Sequence, residues 1–230
     1  MAPIEVLDWE PSSGKELRRS KALCDSLYTA LWGFRQDLTV SSYRSKTDVQ
    51  AHDIERAMVR KEGMRFRSEI GGVVTIQDEY IRIMVDKQAK VVMMADPFKF
   101  KDMFMEAFAI EATESFGTCA ARPKDGGVEY RFTFNKGAVY EHIVAWYDAK
   151  GWLRRTETVW HAGVSEAPLL PMAVVTQPRL VTEYGMPSVI KKGEFTTATD
   201  PWTILEKGTE GPKVRSEWAT YELIDTRLRQ

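Results

Sequence analysis

Three histidines, His52, His142 and His161, and two glutamates, Glu141 and Glu157, are the residues whose types could do acid–base or metal chemistry in this 230-residue chain. Glu141 and Glu157 fall on adjacent predicted strands. Two carboxylates facing each other across a hairpin could act as general acid and general base. With Arg131, Arg154 and Arg155 nearby, the same glutamates read as ion pairs on a wet sheet face. His52 stands beside a turn, and His142 and His161 lie in or just past strands. No HExxH, nucleophile elbow or glycine-rich phosphate loop is present. The pair Gly71-Gly72 precedes a strand, so it builds no anion site on a helix N-terminus. Cys24 and Cys119 are far apart and belong to no CxxC, which argues against zinc. They read as a buried small hydrophobe and a loop thiol, with a disulfide as the alternative. The sequence therefore implies no catalytic residue, no metal and no cofactor.

The apolar residues carry more of the pattern. Phe66, Ile83, Phe132, Phe134, Val144 and Trp146 can all point to one face of a sheet, and Phe100, Met103, Phe104 and Phe108 recur at helical spacing and can cover it. Met93, Met94, Met103 and Met105 cluster where the two meet. With Met94 these residues form the candidate ligand-binding set. Two readings stay open: an ordinary core, or a cleft lined by aromatics and adaptable thioethers. Periodicity does not encode cavity volume.

The elements that must position these residues follow in order. Residues 1–14 read as an extended arm, and 15–230 as a single domain. Ser12 or Ser13 with Glu16 forms a capping box before a helix from Lys15 to Trp32, stopped by Gly33. Strands are expected at Phe34 to Ser45 and at Ile54 to Arg60, the latter with charges that suit an edge or a wetted face. Met64 to Met94 alternates between short polar turns, the mark of an antiparallel meander. Pro97 ends it, and a helix runs from Phe98 to Glu114 as a lid. Phe116 to Gly127 reads as a loop. Further strands are expected at Val128 to Asn135, Tyr140 to Asp148, Trp152 to Trp160, Arg179 to Tyr184 and Arg215 to Asp225, with a proline-rich loop at Glu166 to Pro178. The total is about ten strands and two helices, an α+β fold.

Composition sets the outer bounds. Hydrophobic residues make up 43% and charged residues 28%, enough to bury a core. Lys plus Arg number 32 against 33 Asp plus Glu, a net charge of -1 without a basic stripe, which argues against nucleic-acid binding. No apolar run approaches the roughly 18 residues of a membrane span. Met1-Ala2-Pro3 followed by Ile4-Glu5-Val6 does not read as a signal peptide, which fits a cytosolic chain or a processed one.

This order of elements resembles the lipoprotein-carrier (LolA/LolB-like) family. The parts that match are the N-terminal helix ending near Phe34-Arg35-Gln36, the meander from Met64-Arg65-Phe66-Arg67 to Met94, and the helix after Pro97. The hairpin of Ile143-Val144-Ala145-Trp146-Tyr147-Asp148 with Gly151-Trp152-Leu153-Arg154-Arg155 also matches. The resemblance implies a curved antiparallel half-open barrel with helices packed in its concave face. It also implies a periplasmic location and non-catalytic binding or transport of a lipid or lipidated protein. Beside it stand a protein–protein module, with Phe98, Met105, Ile110, Trp202 and Trp218 covering a partner, and, more distantly, a hydrolase.

Overall fold

The computed structural model describes residues 8–12, 14–97, 116–161, 177–194, 197–209 and 211–227. In chain order the elements are β1 (Glu10–Pro11), α1 (Gly14–Ala30), β2 (Gly33–Tyr43), β3 (Asp53–Glu62), β4 (Arg65–Ile70), β5 (Val73–Gln77), β6 (Arg82–Asp86) and β7 (Val91–Ala95). They continue as β8 (Phe116–Lys124), β9 (Gly127–Phe134), β10 (Tyr140–Tyr147), β11 (Leu153–Trp160), β12 (Arg179–Tyr184), β13 (Ser188–Ile190), β14 (Leu205–Gly208), β15 (Gly211–Val214) and β16 (Glu222–Asp225). Short 3₁₀ turns lie at Thr197–Thr199, Pro201–Thr203 and Ser216–Trp218. The protein is thus mostly β, with one α-helix among the described residues. These residues form sixteen strands, against about ten expected. The additional strands are mostly two to four residues long, too short to show a period. The expected lid helix at Phe98 to Glu114 lies outside the described residues.

The chain divides into two compact units. Unit 1 comprises Met1–Ala30, Thr39–Glu55 and Met105–Gly185; unit 2 comprises Leu31–Leu38, Arg56–Phe104 and Met186–Gln230.

In unit 1, β8 to β12 form an antiparallel ladder, with β1 on the outer edge of β8. The expected loop at Phe116 to Gly127 is instead strand β8 and its hairpin turn. Pro123 sits near the hairpin end, opposite Val128, and Gly117 lies at a register irregularity. A Cβ on Gly117 would stand 2.8 Å from the Thr133 carbonyl oxygen, so glycine is needed for the strand to pass. Helix α1 begins where expected, with the Ser12 hydroxyl donating to Glu16 at 2.6 Å. It packs along Ser20, Cys24 and Tyr28, one turn apart. The Ser20 and Tyr130 hydroxyls share a hydrogen bond of 2.8 Å, and the Tyr28 ring meets Trp152 edge-on at 5.0 Å. Tyr130, Phe132, Ile143, Ala145 and Leu153 are buried in this unit. Cys24 and Cys119 are both free and buried; Cys119 is a strand residue, not a loop thiol.

In unit 2, β3 to β7 form the expected antiparallel meander, and Gly71 and Gly72 both adopt positive φ, 60° and 76°, at its tightest turn. The Asp78 and Asp86 carboxylates close the next two turns by accepting from backbone N–H groups two and three residues on. Strand β3 is not an edge, since it lies between β2 and β4. Gly33 is not a left-handed helix stop. A Cβ there would stand 2.9 Å from the Lys61 carbonyl oxygen and 3.1 Å from Ile190, so it is glycine because β3 and β13 crowd it.

The C-terminal region departs most from expectation. The long antiparallel strand expected at Arg215 to Asp225 is a 3₁₀ turn followed by β16, which runs parallel to β7 with Leu223 beside Val92. Ahead of it, the hairpin β14–β15 and two 3₁₀ turns lie against the meander. Val74, Ile76, Ile81, Ile83, Val85, Val92 and Met94 form one buried cluster with Ile204 and Leu205. Trp202, Val214, Trp218, Tyr221 and Leu223 pack around it. Trp202 and Trp218 therefore cover their own sheet. Leu205→Ala should destabilise the protein by about 2–5 kcal/mol, as a buried cavity-forming deletion does. Urea unfolding followed by tryptophan fluorescence checks this, and a loss below about 1 kcal/mol would show that this cover is loosely packed.

Candidate functional site

Arg67 and Glu69 stand on β4, two residues apart and therefore on one face, and Val74 on β5 pairs with Glu69 across the ladder. Lys87 lies in the β6–β7 turn, and its ammonium is ion-paired with Glu69. Arg67 reaches the other Glu69 oxygen at 3.3 Å, while its second terminal nitrogen donates to the Ala198 carbonyl at 3.2 Å. The hydrogen bond and charge of Lys87, with a further contribution from Arg67, outweigh burial and hold the Glu69 carboxyl below the usual carboxylate range.

The facing wall is the C-terminal segment, and its hydrogen bonds fix its path. The Asp200 carboxylate accepts from Trp202 N–H at 3.0 Å, and Pro201 starts the turn with its φ pre-set. Thr203 donates back to the Asp200 carbonyl at 2.7 Å. Arg215 staples both ends of the segment, donating to the carbonyls of Trp202 at 2.8 Å and Leu205 at 3.1 Å. The next turn places Trp218 and Tyr221 edge-to-face at 5.0 Å. Between the walls is a groove of about 510 Å³ lined by Arg67, Val74, Lys87, Thr203, Ile204, Glu217, Trp218 and Tyr221. That volume falls within the roughly 300–1,000 Å³ of small-molecule sites. Val74 and Ile204 are fully buried members of the lining, Trp218 and Tyr221 are half-buried, and Glu217 is exposed. The arrangement suits a ligand with an apolar body and a polar end.

None of these residues belongs to the ligand-binding set expected from sequence, and Trp218 is among those expected to cover a partner. Strand register explains part of the difference. In unit 2, Phe66 pairs with Gln77, whereas Ile83 pairs with Ile76 and Met94, so Phe66 lies on one face and Ile83 and Met94 on the other. In unit 1, Phe132 pairs with Ile143, while Val144 pairs with Arg131 and Trp146 with Glu129. Phe132 and Phe134 therefore face away from Val144 and Trp146. The expectation that all of these share one face fails in both units. Ile83 and Met94 belong to the packed cluster of unit 2, and Phe66, Phe132, Phe134 and Val144 are buried; Trp146 is half-buried. Phe100, Met103, Phe104 and Phe108 lie outside the described residues.

Of the acid–base candidates, Glu141 and His142 are in contact, and the charge of Glu157 also acts on His142. Glu157 pairs with Val144 across the ladder, and Glu141 falls in a register irregularity. Glu157 is bound by Arg155 at 2.6 Å, and Glu141 by Lys46 at 3.0 Å and by the Gln177 amide. The His142 ring lies 3.2 Å from Glu141, but burial, aided by Arg131, keeps its pKa below the ordinary histidine value. His52 contacts Arg44 at 3.1 Å. Among the described residues no three His, Cys, Asp or Glu side chains are grouped to hold a metal ion. No helix of the described residues is long and apolar enough to cross a membrane.

No family model matches the chain, and no curated protein matches it in sequence. Among solved structures it is similar to a LolA superfamily protein from Nitrosomonas europaea, at 10% identity over 76% of this chain and 93% of that one, with a TM-score of 0.32. It is also similar to a DUF1329 family protein from Desulfovibrio piger, at 8% identity over 84% and 99%, TM-score 0.35. A third is the lipoprotein LppX of Mycobacterium tuberculosis, at 12% identity over 75% and 95%, TM-score 0.33. The family that the sequence resembles is thus among the structures to which this chain is similar. At TM-scores this low the likeness assigns neither ligand nor function.

The Glu69 carboxyl should titrate below its unperturbed midpoint of about 4.3, and Lys87→Ala should raise that midpoint. A carboxyl whose folded pKa is depressed stabilises the fold above its unfolded pKa. That contribution is lost as pH falls through the folded value. Carboxyl-carbon NMR titration of both proteins measures the two midpoints.

Proposed function

We propose that this protein is a non-catalytic binder of a hydrophobic or amphipathic ligand, such as a lipid or the acyl chains of a lipidated protein, and that it works in the cell envelope. The groove of unit 2 carries the reading. It joins buried aliphatic side chains, two half-buried aromatic rings and a charged rim in a volume of about 510 Å³. Apolar burial supplies the affinity at about 0.8 kcal/mol per methylene. Roughly eight buried methylenes would give about 6 kcal/mol, a dissociation constant on the order of tens of micromolar. The candidate carboxylates Glu141 and Glu157 are each engaged by a cation, Lys46 and Arg155, which supports binding over turnover.

A second reading is a protein–protein module, favoured by the opposite face of the same meander. There Val73, Met84, Val91 and Met93 are half-buried, and Ile70 and Ile224 are exposed. The register places Met84, Met93 and Ile224 in one row. A partly exposed apolar row of this kind fits an interaction surface.

A fluorescent fatty-acid titration decides between them. Saturable uptake should weaken at least tenfold in Trp218→Ala and hold within twofold in Met93→Ser, with circular dichroism confirming that both variants fold. Loss in Met93→Ser alone would move the site to the other face, and absence of saturable uptake would remove the ligand reading.

A further inference from the structure

We propose that the groove of unit 2 takes an acidic amphiphile, with a carboxylate or phosphate head on Lys87 and Arg67 and an apolar chain along Val74, Ile204, Trp218 and Tyr221. This deepens the ligand-binding reading and rests on it. The groove is polarised. Its cations come from β4 and the β6–β7 turn, and its aromatic rings from the C-terminal segment.

Among the described lining residues, the charges at this end can be named. Arg67 and Lys87 contribute two positive charges, and Glu69, ionised between them, contributes one negative charge. Glu217 lies beside Trp218 and is exposed, so water and salt screen it. The Lys87 side chain is 46% exposed, and an ammonium has three donors, of which Glu69 takes one. Further donors are free to meet a ligand oxygen. Glu69 also shows that a carboxylate fits these two cations at once, one oxygen to each. A ligand acid would add a second anion to the same ammonium. The rings then sit where the chain attached to that acid must run, because the remaining lining is Val74, Ile204 and Thr203.

The sign of the head is the discriminating feature. A neutral amphiphile would gain only the apolar term. A cationic one would be repelled at Lys87 and Arg67, with Glu69 already ion-paired to both of them and Glu217 exposed to solvent. A free phosphate would meet the cations without the chain, and a lipid headgroup would have both.

Isothermal titration of the full chain with dodecyl phosphate, dodecanol, dodecyltrimethylammonium and inorganic phosphate, each below its micellar concentration, tests this. Dodecyl phosphate should bind saturably and at least tenfold tighter than dodecanol, and its affinity should fall as salt rises. Lys87→Gln should shrink the tenfold preference to below threefold, and Lys87→Arg should retain it. Equal affinity for dodecanol and dodecyl phosphate would overturn the acidic head while leaving the groove as a ligand site. Preference for the trimethylammonium would reverse the sign and overturn it. Inorganic phosphate binding as tightly as dodecyl phosphate would remove the chain. Dodecyl phosphate uptake undiminished in Lys87→Gln would place the amphiphile elsewhere and overturn the proposal. Failure of every amphiphile to bind would remove the groove reading together with it.

Discussion

Unit 2 depends on one constraint: a meander with one strongly apolar face needs a second layer. Successive side chains alternate across a strand, so Val74, Ile76, Ile83, Val85, Val92 and Met94 emerge together on one side. Exposed, they would cost roughly 1.5–3 kcal/mol each. Ile204, Leu205 and the rings around them supply the cover. The groove has a physical origin in the same face. Along β4 the row continues as Arg67 and Glu69, which a dry cover cannot pack against without stranding charge. The apolar layer therefore ends there, and the space between its last rings and the ion-paired rim is the groove.

Unit 1 meets the same requirement differently. Helix α1 accompanies the face that carries Tyr130 and Tyr147, which the strand register places together. The other face is studded with charge, and the charges are matched in place. Glu129 is almost fully buried, yet Arg122 and Lys124 hold its two oxygens at 2.6 and 2.8 Å. Burial alone would raise its pKa, but these two partners outweigh it and hold the carboxyl low. Trp9 stacks on Arg122 at 4.4 Å, adding a cation–π contact above the pair. Glu129 is tolerated on such a face because both of its oxygens are ion-paired. The glutamates of this face, Glu129 and Glu157, are both held in ion pairs.

Where periodicity was strong, the sequence was legible. The helix at Gly14–Ala30 and the meander strands follow alternation and turn chemistry closely, because Asp78, Asp86 and Gly71-Gly72 fix turns locally. Register was not legible in β10, where Ile143, Val144, Ala145, Trp146 and Tyr147 are apolar on both faces. Within that run no polar residue marks the wet side, so parity there is decided by pairing, and the expected shared face fell apart on that point. β8 was hidden by Gly117 and Pro123, two residues that usually break strands but are tolerated at an irregularity and beside a hairpin. The groove was the least legible feature. Its walls lie far apart in sequence, and the expectation of a strand at Arg215 to Asp225 does not include the turns at Pro201–Thr203 and Ser216–Trp218 that build the facing wall.

The two faces of the meander also differ in what they could hold. The face with Met84, Met93 and Ile224 holds Phe66, Gln77 and Ala95 buried at one end, whereas Met84 and Met93 are half-buried and Ile224 is exposed, and Thr75 lies in the same row as Met84. A small ligand there would bury one side and leave the other in water, forfeiting about half of the apolar term. Only a partner large enough to bring its own second layer would gain from such a surface. The groove face already owns both layers, so a single chain lying between Val74 and Trp218 is desolvated on both sides. Shape and exposure therefore separate the readings before chemistry does: concavity favours a small amphiphile in the groove, and a partly exposed apolar row favours a macromolecule on the opposite face.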